Sequence, residues 1–563
     1  MENKAIARRF RLLSQLMELH DENPFKIRSI TNAAFKIDKL PLALAGLPLT
    51  DLEKVEGIGK GLASKISELL HTGTMQELEE LLQKTPPGVV DMLSIKGIGS
   101  KKAAIIWHEL HIDTVGELFY ACNENRLIEA KGFGLKTQEE IRKAIEFKMA
   151  SSGRFLYAHI EAFVTSLSQD LSLWARESAG DPEALLGVAG QFRRCCEIVD
   201  ELVLVMGTAQ PAAMIQHIAN FKALEFKWQD EDLFAEAESG LKIRLKIVDH
   251  GAYYLRWFIE TGNSLHVEQV LARVKSDTFT SEAAIYTEAG LQYTPPELRE
   301  GGDEILLAEK QALPELIRFT DLKGSLHNHS TWSDGVHTLK EMALFCRDVL
   351  HLEYLGISDH SQSAFYAKGL SEQRVREQQA EIDQLNKELA PFRIFKGIES
   401  DILYDGRLDY PEAILKTFDF VVASVHSQLK MDETKATSRL ITAIENPYTT
   451  ILGHPTGRLL LSRAGYPIDY KKVIDACAAN GVVIEINANP LRLDLDWRWH
   501  HYALEKGVLL AINPDAHRQE GFYDMHAGLR IARKGGLTAD KNLNSFNLAE
   551  ISVYFEQKKK NSA

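Results

Sequence analysis

Cysteine is scarce in this chain, and its five cysteines include no CxxC pair. Their spacing excludes a secreted disulfide framework and favours a reducing compartment. Long apolar runs are missing too, and charged residues are spread through the first twenty positions. We therefore expect a cytoplasmic protein with no membrane partner, and we expect it to be monomeric.

An excess of positive charge is also absent, because the formal net charge is −14 and the sequence pI is about 5.8. The chain as a whole therefore lacks the basic composition typical of nucleic-acid-binding proteins. Basic and acidic side chains are equal in number in residues 1–150, so the negative charge belongs to residues 151–563. At 563 residues the chain is too long for one core, and we expect several domains.

Residues 1–150 have helical periodicity and contain one pattern three times, in residues 52–66, 93–106 and 127–141. Each copy has a helix end, a glycine–apolar–glycine turn and a polar or basic start to the next helix. The glycine pairs are Gly57 and Gly59, Gly97 and Gly99, and Gly132 and Gly134. Glycine permits a tight turn with positive φ, and backbone N–H groups at the next helix start suit a phosphate.

The alternative for any one copy is an ordinary helical hairpin with a glycine C-cap. Three copies, each followed closely by lysine, favour contact with the DNA backbone without sequence readout. The pattern resembles the helix-hairpin-helix motif. Lys65, in the first copy, matches the position of a Schiff-base lysine in 5′-deoxyribose phosphate lyases, although a solvated helix lysine is the commoner explanation.

Residues 150–315 alternate helix and strand patterns, including a helix start and strand in GQFRRCCEIVDELVLVMGT (190–208) and a strand in GLKIRLKIV (240–248). This region resembles the palm of family X DNA polymerases, whose pattern is G-S-x-R-R-x-x-E-x-x-G-D-x-D. Arg193, Arg194 and Glu197 match that pattern. The segment TPPELREGGDEI (294–305) resembles a later stretch of the bacterial members.

Only one of the three carboxylates of that pattern has an acidic counterpart in this chain. Two-metal phosphoryl transfer needs acids at positions i and i+2, so that both leave one face of a strand. The resemblance puts these positions at Glu201 and Val203, and the third acid at Arg244. Because an arginine repels a metal ion, we expect this palm to be degenerate and inactive in nucleotide addition.

The last 245 residues repeat a buried Val/Ile/Leu-rich strand followed by a helical stretch. The strands lie in KGSLHNHS, LEYLGISDH, RIFKGIES, FDFVVASVHS, TTILGHP, VVIEINANP and VLLAINPDAH. Repeated units of this kind predict parallel strands closed as a barrel, with the side chains at the strand ends meeting at one mouth. Six of the seven strands end in His, Asp or Glu. The exception is the strand in VVIEINANP, which ends in Asn487 and Asn489.

Imidazole and carboxylate ligands without thiolate suit Zn²⁺, Mn²⁺ or Fe²⁺. The candidate ligands are His327, His329, Asp334, His360, Glu399, His426, His454, Asp515 and His517. Because this set is too large for one ion, we expect two or three divalent metals, with Glu399 as a bridge. Such ions bind phosphate and activate water, and Glu399, His329 and Asp334 are the predicted catalytic residues.

These motifs resemble the polymerase and histidinol phosphatase (PHP) domain. The resemblance implies a distorted (β/α)₇ barrel with a trinuclear site, and it assigns the nine ligands above. It puts Asp359 beside the site as a supporting residue. Lys368, Arg407 and Arg458 follow strand ends and are candidates for holding substrate phosphates, or they are solvated surface charges.

Together the resemblances imply a bacterial family X DNA polymerase/3′–5′ exonuclease. The expected parts are a helical lyase-like domain (1–85), a fingers-like domain (86–150), a degenerate α+β palm (151–248), a thumb-like region (249–318) and a PHP barrel (319–563). The expected function is metal-dependent hydrolysis at gapped, damaged or 3′-recessed DNA in repair, including 3′-end or abasic-site processing. An active DNA polymerase, a small-molecule phosphatase and a DNA-binding scaffold with structural metals are the alternatives.

Overall fold

A computed structural model describes residues 1–128, 130–150 and 153–562. The chain forms two compact units, Met1–Lys148 and Met149–Ala563. The first unit contains the glycine-pair turns. The second contains the palm-like sheet, the helical segment that follows it and the barrel.

The first unit is helical. Its helices are α1 (Asn3–Leu19), α2 (Pro24–Lys39), α3 (Leu49–Leu52), α4 (Lys60–Thr72), α5 (Gln76–Lys84), α6 (Pro87–Met92), α7 (Ser100–Ala104), α8 (Val115–Asn123) and α9 (Leu135–Ala150). One turn of π-helix, Ile105–Glu109, extends α7. The apolar residues Ile6, Phe10, Leu13 and Met17 recur at helical spacing in α1 and are fully buried.

Only the first glycine of each pair adopts a left-handed conformation. The φ angles of Gly57, Gly97 and Gly132 are +84°, +93° and +87°. Gly59 and Gly99 instead cap α4 and α7 with φ of −77° and −97°. A Cβ at Gly59 or Gly99 would point into open space, so these turns leave the helix N-termini accessible.

The palm-like region is a five-stranded sheet with helices beside it. Its strands and helices are β1 (Phe155–Leu156), α10 (Tyr157–Glu177), β2 (Leu185–Ala189), α11 (Gly190–Arg193), β3 (Ile198–Val199), β4 (Glu201–Thr208), α12 (Pro211–His217), β5 (Lys227–Gln229), β6 (Asp232–Glu236) and β7 (Lys242–Asp249). The sheet order is β2-β4-β7-β6-β5, and β1 pairs separately with β3. Strands β4 and β7 are parallel neighbours, and Val203 pairs with Arg244. The following segment contains α13 (Tyr253–Thr261), α14 (Ser264–Leu271), α15 (Glu282–Glu288) and α16 (Glu304–Glu309).

The C-terminal part is a nearly closed barrel of seven parallel strands. These are β8 (Gly324–Ser325), β9 (Tyr354–Ile357), β10 (Arg393–Asp401), β11 (Phe420–Ser424), β12 (Ile451–Leu452), β13 (Val483–Asn487) and β14 (Leu510–Asn513). Neighbours in the sheet are neighbours in sequence, and a parallel bridge from Asn328 to Ala516 joins the two ends. The predicted (β/α)₇ barrel is therefore confirmed.

Helices cover the outside of the barrel, and the last of them closes the end at which the strands begin. They are α17 (Leu339–Leu344), α18 (Glu372–Glu388), α19 (Glu412–Leu415), α20 (Glu433–Ile444), α21 (Tyr470–Asn480), α22 (His500–Glu505), α23 (Met525–Lys534) and α24 (Leu548–Ser562). Ile551 and Phe555 of α24 pack with Phe395 and Phe420 in an apolar cluster inside the barrel. This apolar filling leaves the opposite end, where the strands finish, for polar residues.

Within the described ranges, no helix is both long enough and apolar enough to cross a membrane.

Candidate metal centre

The nine predicted ligands come together at the carboxyl ends of the barrel strands. Strand β8 leads into His327 and His329, and β10 itself carries Glu399. The others follow β9, β11, β12 and β14, and Asp334 lies in the loop after β8. Most of the nine are buried, which is unusual for ionisable side chains unless they are paired or bind a metal.

Three overlapping groups have ligand atoms that lie within 4.8 Å of one another. They are His329–Asp334–His360–His517, His327–His329–Asp515 and His360–Glu399–His426. Since His329 and His360 each belong to two groups, the groups form one continuous cluster.

Glu399 lies at the centre of this cluster. Its Oε1 is 3.2 Å from His327 Nε2, 3.1 Å from His426 Nε2 and 3.1 Å from His454 Nε2. Its Oε2 is 3.0 Å from His360 Nδ1 and 3.6 Å from His329 Nε2. The two oxygens therefore face different histidines, as a carboxylate between two ions would.

The donor set fits divalent metal ions. Two ligand atoms at about 2.1 Å from one ion lie about 3.0 to 3.4 Å apart, and several separations around Glu399 fall in this range. Several buried ligand atoms also make no well-formed hydrogen bond to any described residue. These are His327 Nε2, His329 Nδ1, Asp334 Oδ2, His360 Nδ1 and Glu399 Oε2.

The electrostatics of the cluster keep its carboxylates and His329 in the forms that bind cations, while the nearby carboxylates outweigh burial and raise the pKa of His327 and His426. Burial raises the pKa of Asp334 and of Glu399, but the nearby histidines more than offset this and hold both well below their usual range. Burial, together with the charges of His517 and His360, lowers the pKa of His329 to about 3. Ionised carboxylates and a neutral imidazole are the forms that bind metal.

Two carboxylates that sequence reasoning missed accept hydrogen bonds from candidate ligand histidines, at the ring nitrogen that does not face Glu399. Glu485 accepts a hydrogen bond from His327 Nδ1 at 2.7 Å, and Asp401 accepts one from His426 Nδ1 at 2.6 Å. In each case the other ring nitrogen, Nε2, faces Glu399. Such partners fix the tautomer and orientation of a ligand histidine. The sequence does contain a signal for Glu485, because an acid within an otherwise apolar strand, as in VVIEIN, needs a partner when it is buried.

Asp359 organises the loop that carries Asp334. It accepts hydrogen bonds from Ser330 N at 2.8 Å, Ser333 Oγ at 2.5 Å and Gln378 Nε2 at 2.6 Å. Burial raises the pKa of Asp359, and the hydrogen bonds from Ser333 and Ser330 partly offset that rise. Asp359 thus positions the loop from beside the cluster.

The three candidate phosphate-binding residues have different surroundings. Lys368 is exposed and has a φ of +56° after the turn Phe365–Ala367. Arg407 is also exposed, and its Nε pairs with Asp405 at 2.6 Å. Arg458 is largely buried, pairs with Asp496 and donates to the carbonyl of Arg492 at 2.9 Å. Arg458 therefore already has partners within the protein.

In the palm-like sheet, Arg244, which the family X resemblance aligns with a metal ligand, lies among three acids. Arg244 is 3.1 Å from Glu201, 3.2 Å from Asp232 and 3.1 Å from Glu260. Lys246 lies 3.1 Å from Asp232. Val203, beside Arg244, provides no carboxylate. The local acids are thus neutralised by the protein's own side chains.

The matching basic residues of the palm are also bound internally. Arg193 pairs with Glu282 at 2.7 Å and stacks 3.4 Å above the Trp257 ring. Arg194 pairs with Glu300 at 2.9 Å. Glu197 accepts hydrogen bonds from two barrel residues after β13, Trp497 and Arg498. These residues join elements of the second unit together.

Lys65, the candidate lyase nucleophile, lies on α4. Its Nζ is 2.5 Å from Glu77, which also pairs with Lys26, and its side chain is only 25% exposed. A nucleophilic amine must be free to attack its substrate, whereas the Lys65 amine is held by the Glu77 carboxylate.

Comparison with known proteins agrees with this architecture. The family model of a helix-hairpin-helix domain matches residues 1–75, and that of a SAM-like helix-hairpin-helix tandem matches residues 89–146. The DNA polymerase/3′-5′ exonuclease PolX of Bacillus subtilis (strain 168) is 33% identical over 588 aligned residues, which cover 99% of this chain and 100% of that protein. The chain belongs to the PolX family. Family membership confirms the expected helix-hairpin-helix region and the resemblance to bacterial family X enzymes.

Shorter stretches of this PolX family member match proteins named as probable phosphatases. One from Thermoanaerobacter sp. (strain X514) is 33% identical over 186 residues, or 31% of this chain and 73% of that protein. Another from Caldicellulosiruptor bescii is 36% identical over 135 residues, or 22% of this chain and 52% of that protein.

Proposed function

We propose that this PolX family member is a metal-dependent DNA phosphoesterase that removes or trims 3′ ends during repair, and that its palm no longer adds nucleotides. The observation that carries the proposal is a contrast within the second unit. The barrel mouth has an intact set of metal-type ligands, whereas Arg244 and Lys246 neutralise the acids of the palm.

The barrel supplies the hydrolytic site. The nine ligands named above would hold two or three ions, with Mn²⁺ and Zn²⁺ suited to the imidazole and carboxylate donors and Fe²⁺ also compatible. Bound ions of this kind polarise a phosphate and make a water nucleophilic near neutral pH. Within the protein, Asp401 and Glu485 orient the ligand histidines, and Asp359 fixes the loop that carries Asp334.

The palm supports binding and assembly in this proposal. Nucleotide addition by two ions needs carboxylates on one strand face. Val203 offers none, and Arg244 places a positive charge among Glu201, Asp232 and Glu260. A divalent cation there would have to displace the guanidinium from three partners, and it would still lack the second strand carboxylate.

The first unit supplies DNA affinity in this proposal. Its glycine turns leave accessible backbone N–H groups at helix N-termini, which suit phosphate oxygens whatever the base sequence. A small phosphomonoester would have no use for such turns. This favours a DNA substrate over a small metabolite.

The direct test is digestion of a 5′-labelled, 3′-recessed duplex with Mn²⁺, with and without dNTPs. We expect stepwise shortening in both conditions. Extension with dNTPs would show that the palm is active and would overturn that half of the proposal. No change in either condition would overturn the nuclease half.

Site variants assign the activity to the barrel mouth. Glu399→Ala and His327→Ala should each abolish Mn²⁺-dependent shortening, because each removes a central ligand. The matched controls Glu412→Ala and His501→Ala change exposed side chains on the same barrel and should retain activity. Shortening that survives both ligand substitutions would contradict the site assignment.

Phosphomonoester hydrolysis is a second candidate, favoured by the relatives named as probable phosphatases. Turnover of a phosphomonoester by a preparation that leaves labelled DNA intact would support it. Metal bound in stoichiometric amount without turnover of either substrate would instead indicate a structural role for the ions.

A further inference from the structure

An exposed phenylalanine stands on the loop that follows β9. Phe365 is 75% exposed, although its neighbours Ala364, Ala367 and Leu370 are fully buried. The small and aliphatic side chains therefore anchor the loop, while the aromatic ring faces solvent. The packing of this loop gives no reason for an apolar ring of this size at its outer surface.

The backbone of this loop is fixed. Leu370 N donates to His360 O at 2.8 Å, which closes the two ends of the loop. Ser363 N and Oγ donate to Asp409 at 2.6 Å and to Asp401 at 2.8 Å. These hydrogen bonds fix the loop that contains the turn Phe365–Ala367, so the exposed Phe365 ring stands on an ordered backbone.

The loop also connects the exposed ring to the metal centre. The Tyr366 ring lies edge-on to candidate ligand His360, with centroids 6.3 Å apart. The Phe365 ring lies edge-on to Tyr366 at 5.8 Å. Two aromatic rings therefore lead from the ligand cluster to the surface.

We propose that Phe365, backed by Tyr366, is the stacking surface for the base of the 3′-terminal nucleotide whose phosphodiester is cleaved at the metal centre. This inference rests on the proposed phosphodiesterase function. Aromatic rings bind unpaired bases through their faces and tolerate any sequence. The substrate class is accordingly a single-stranded or frayed 3′ end, because a base within a duplex has no free face.

The test removes the ring from the protein and the base from the DNA. Steady-state release of the last residue is measured for wild type and Phe365→Ala, on single strands ending in a normal nucleotide or a tetrahydrofuran abasic residue. On the normal strand, Phe365→Ala should lower kcat/KM roughly 5- to 150-fold, mainly through KM. On the abasic strand the two proteins should be equal, and Phe365→Trp should restore the preference.

Tyr523→Ala is the matched control, since Tyr523 is 48% exposed on the same barrel but packs edge-on against Phe345 beside α17. It should behave as wild type. Equal losses on both strands, or no loss on either, would overturn the stacking assignment.

A second measurement does not depend on turnover. A single strand ending in 3′-terminal 2-aminopurine should show stacking-dependent quenching with wild type and less quenching with Phe365→Ala. If wild type cleaves neither strand, the proposed function fails, and this quenching alone decides the stacking proposal. Unchanged quenching in the variant would refute it.

Discussion

At the residue scale, the orientation of two candidate ligand histidines, His327 and His426, depends on a buried carboxylate that bonds to the ring nitrogen away from Glu399. Glu485 is fully buried and accepts a hydrogen bond from His327 Nδ1, with 2.7 Å between the nitrogen and the carboxylate oxygen. This bond directs Nε2 of His327 towards Glu399. Partners of this kind typically contribute 10- to 100-fold to metal affinity or activity. We predict that Glu485→Gln lowers Mn²⁺ affinity by roughly that factor, as measured by metal titration.

The exposed Glu505, on α22 of the same barrel, provides the control as Glu505→Gln. Its affinity for metal should equal that of wild type. A Glu485→Gln protein that is folded by circular dichroism and binds Mn²⁺ normally would contradict the orienting role.

Sequence reasoning finds the histidines at the strand ends more easily than the carboxylates that orient them. His426 and His454 follow apolar runs, so the parallel-strand pattern predicts their meeting at one mouth. Glu485 lies inside β13 and Asp401 is the last residue of β10, and only the tertiary structure defines which histidine each of them faces. Their partners are 158 and 25 positions away in sequence.

At the element scale, the start of α15 is tied to α11 of the palm through one acid. Glu282 accepts paired hydrogen bonds from Arg193 at 2.7 and 2.8 Å and from Arg299 at 2.6 and 2.9 Å. Burial raises the pKa of Glu282, but the two guanidinium groups outweigh burial and lower it to about 2.

We predict that Glu282→Gln lowers the free energy of unfolding by about 3 kcal/mol at neutral pH. Because the pKa of Glu282 is lower in the folded state, its stabilisation is complete above the ordinary value near 4.5 and is lost as pH falls towards 2. Urea unfolding at pH 7 and pH 3 should therefore give a smaller difference from wild type at pH 3. The control Glu268→Gln changes an exposed residue of α14, and its free energy of unfolding should differ little from that of wild type at either pH. A loss of stability in Glu282→Gln that is the same at pH 7 and pH 3 would contradict the assignment of this stabilisation to the ionised Glu282.

The boundaries of the elements were less predictable than their type. The strands of the barrel were expected from their apolar runs, and each is present. The two glycines of each hairpin look alike in sequence, yet Gly57 is left-handed and Gly59 is not. Which glycine takes the positive φ depends on where the next helix begins.

At the scale of the whole molecule, charge pairs that are at least half-buried join the barrel to the palm and the segment after it. Lys534 of α23 is only 3% exposed and donates to the Glu300 carboxylate and, at 3.0 Å, to the Arg194 carbonyl. Arg533 pairs with Glu297 at 2.6 Å. Such pairs between distant parts of the sequence have no local signature, so sequence reasoning did not find them.

Lys534→Met removes one of two cations that pair with Glu300, the other being Arg194, and it also removes the donor to the Arg194 carbonyl. Because hydrogen bonds to charged groups contribute about 1.5 to 3 kcal/mol, we predict that Lys534→Met destabilises the second unit by about 2 kcal/mol and increases protease cleavage in residues 249–318. The exposed control Lys541→Met should change neither quantity by a measurable amount. Wild-type stability and wild-type proteolysis in Lys534→Met would contradict the joining role.

DNA affinity should depend on the first unit even though the chain as a whole is acidic. Lysines follow the glycine turns, and each phosphate contact contributes about 0.9 to the slope of log K against log salt. We predict that the triple variant Lys60→Ala, Lys101→Ala and Lys136→Ala reduces that slope by up to about 3 and weakens binding equally for all sequences. The matched control replaces Lys4, Lys84 and Lys143, which are exposed on the same unit away from the turns. An equal change in both triple variants would mean that total charge, and not the hairpin turns, determines how this protein holds DNA.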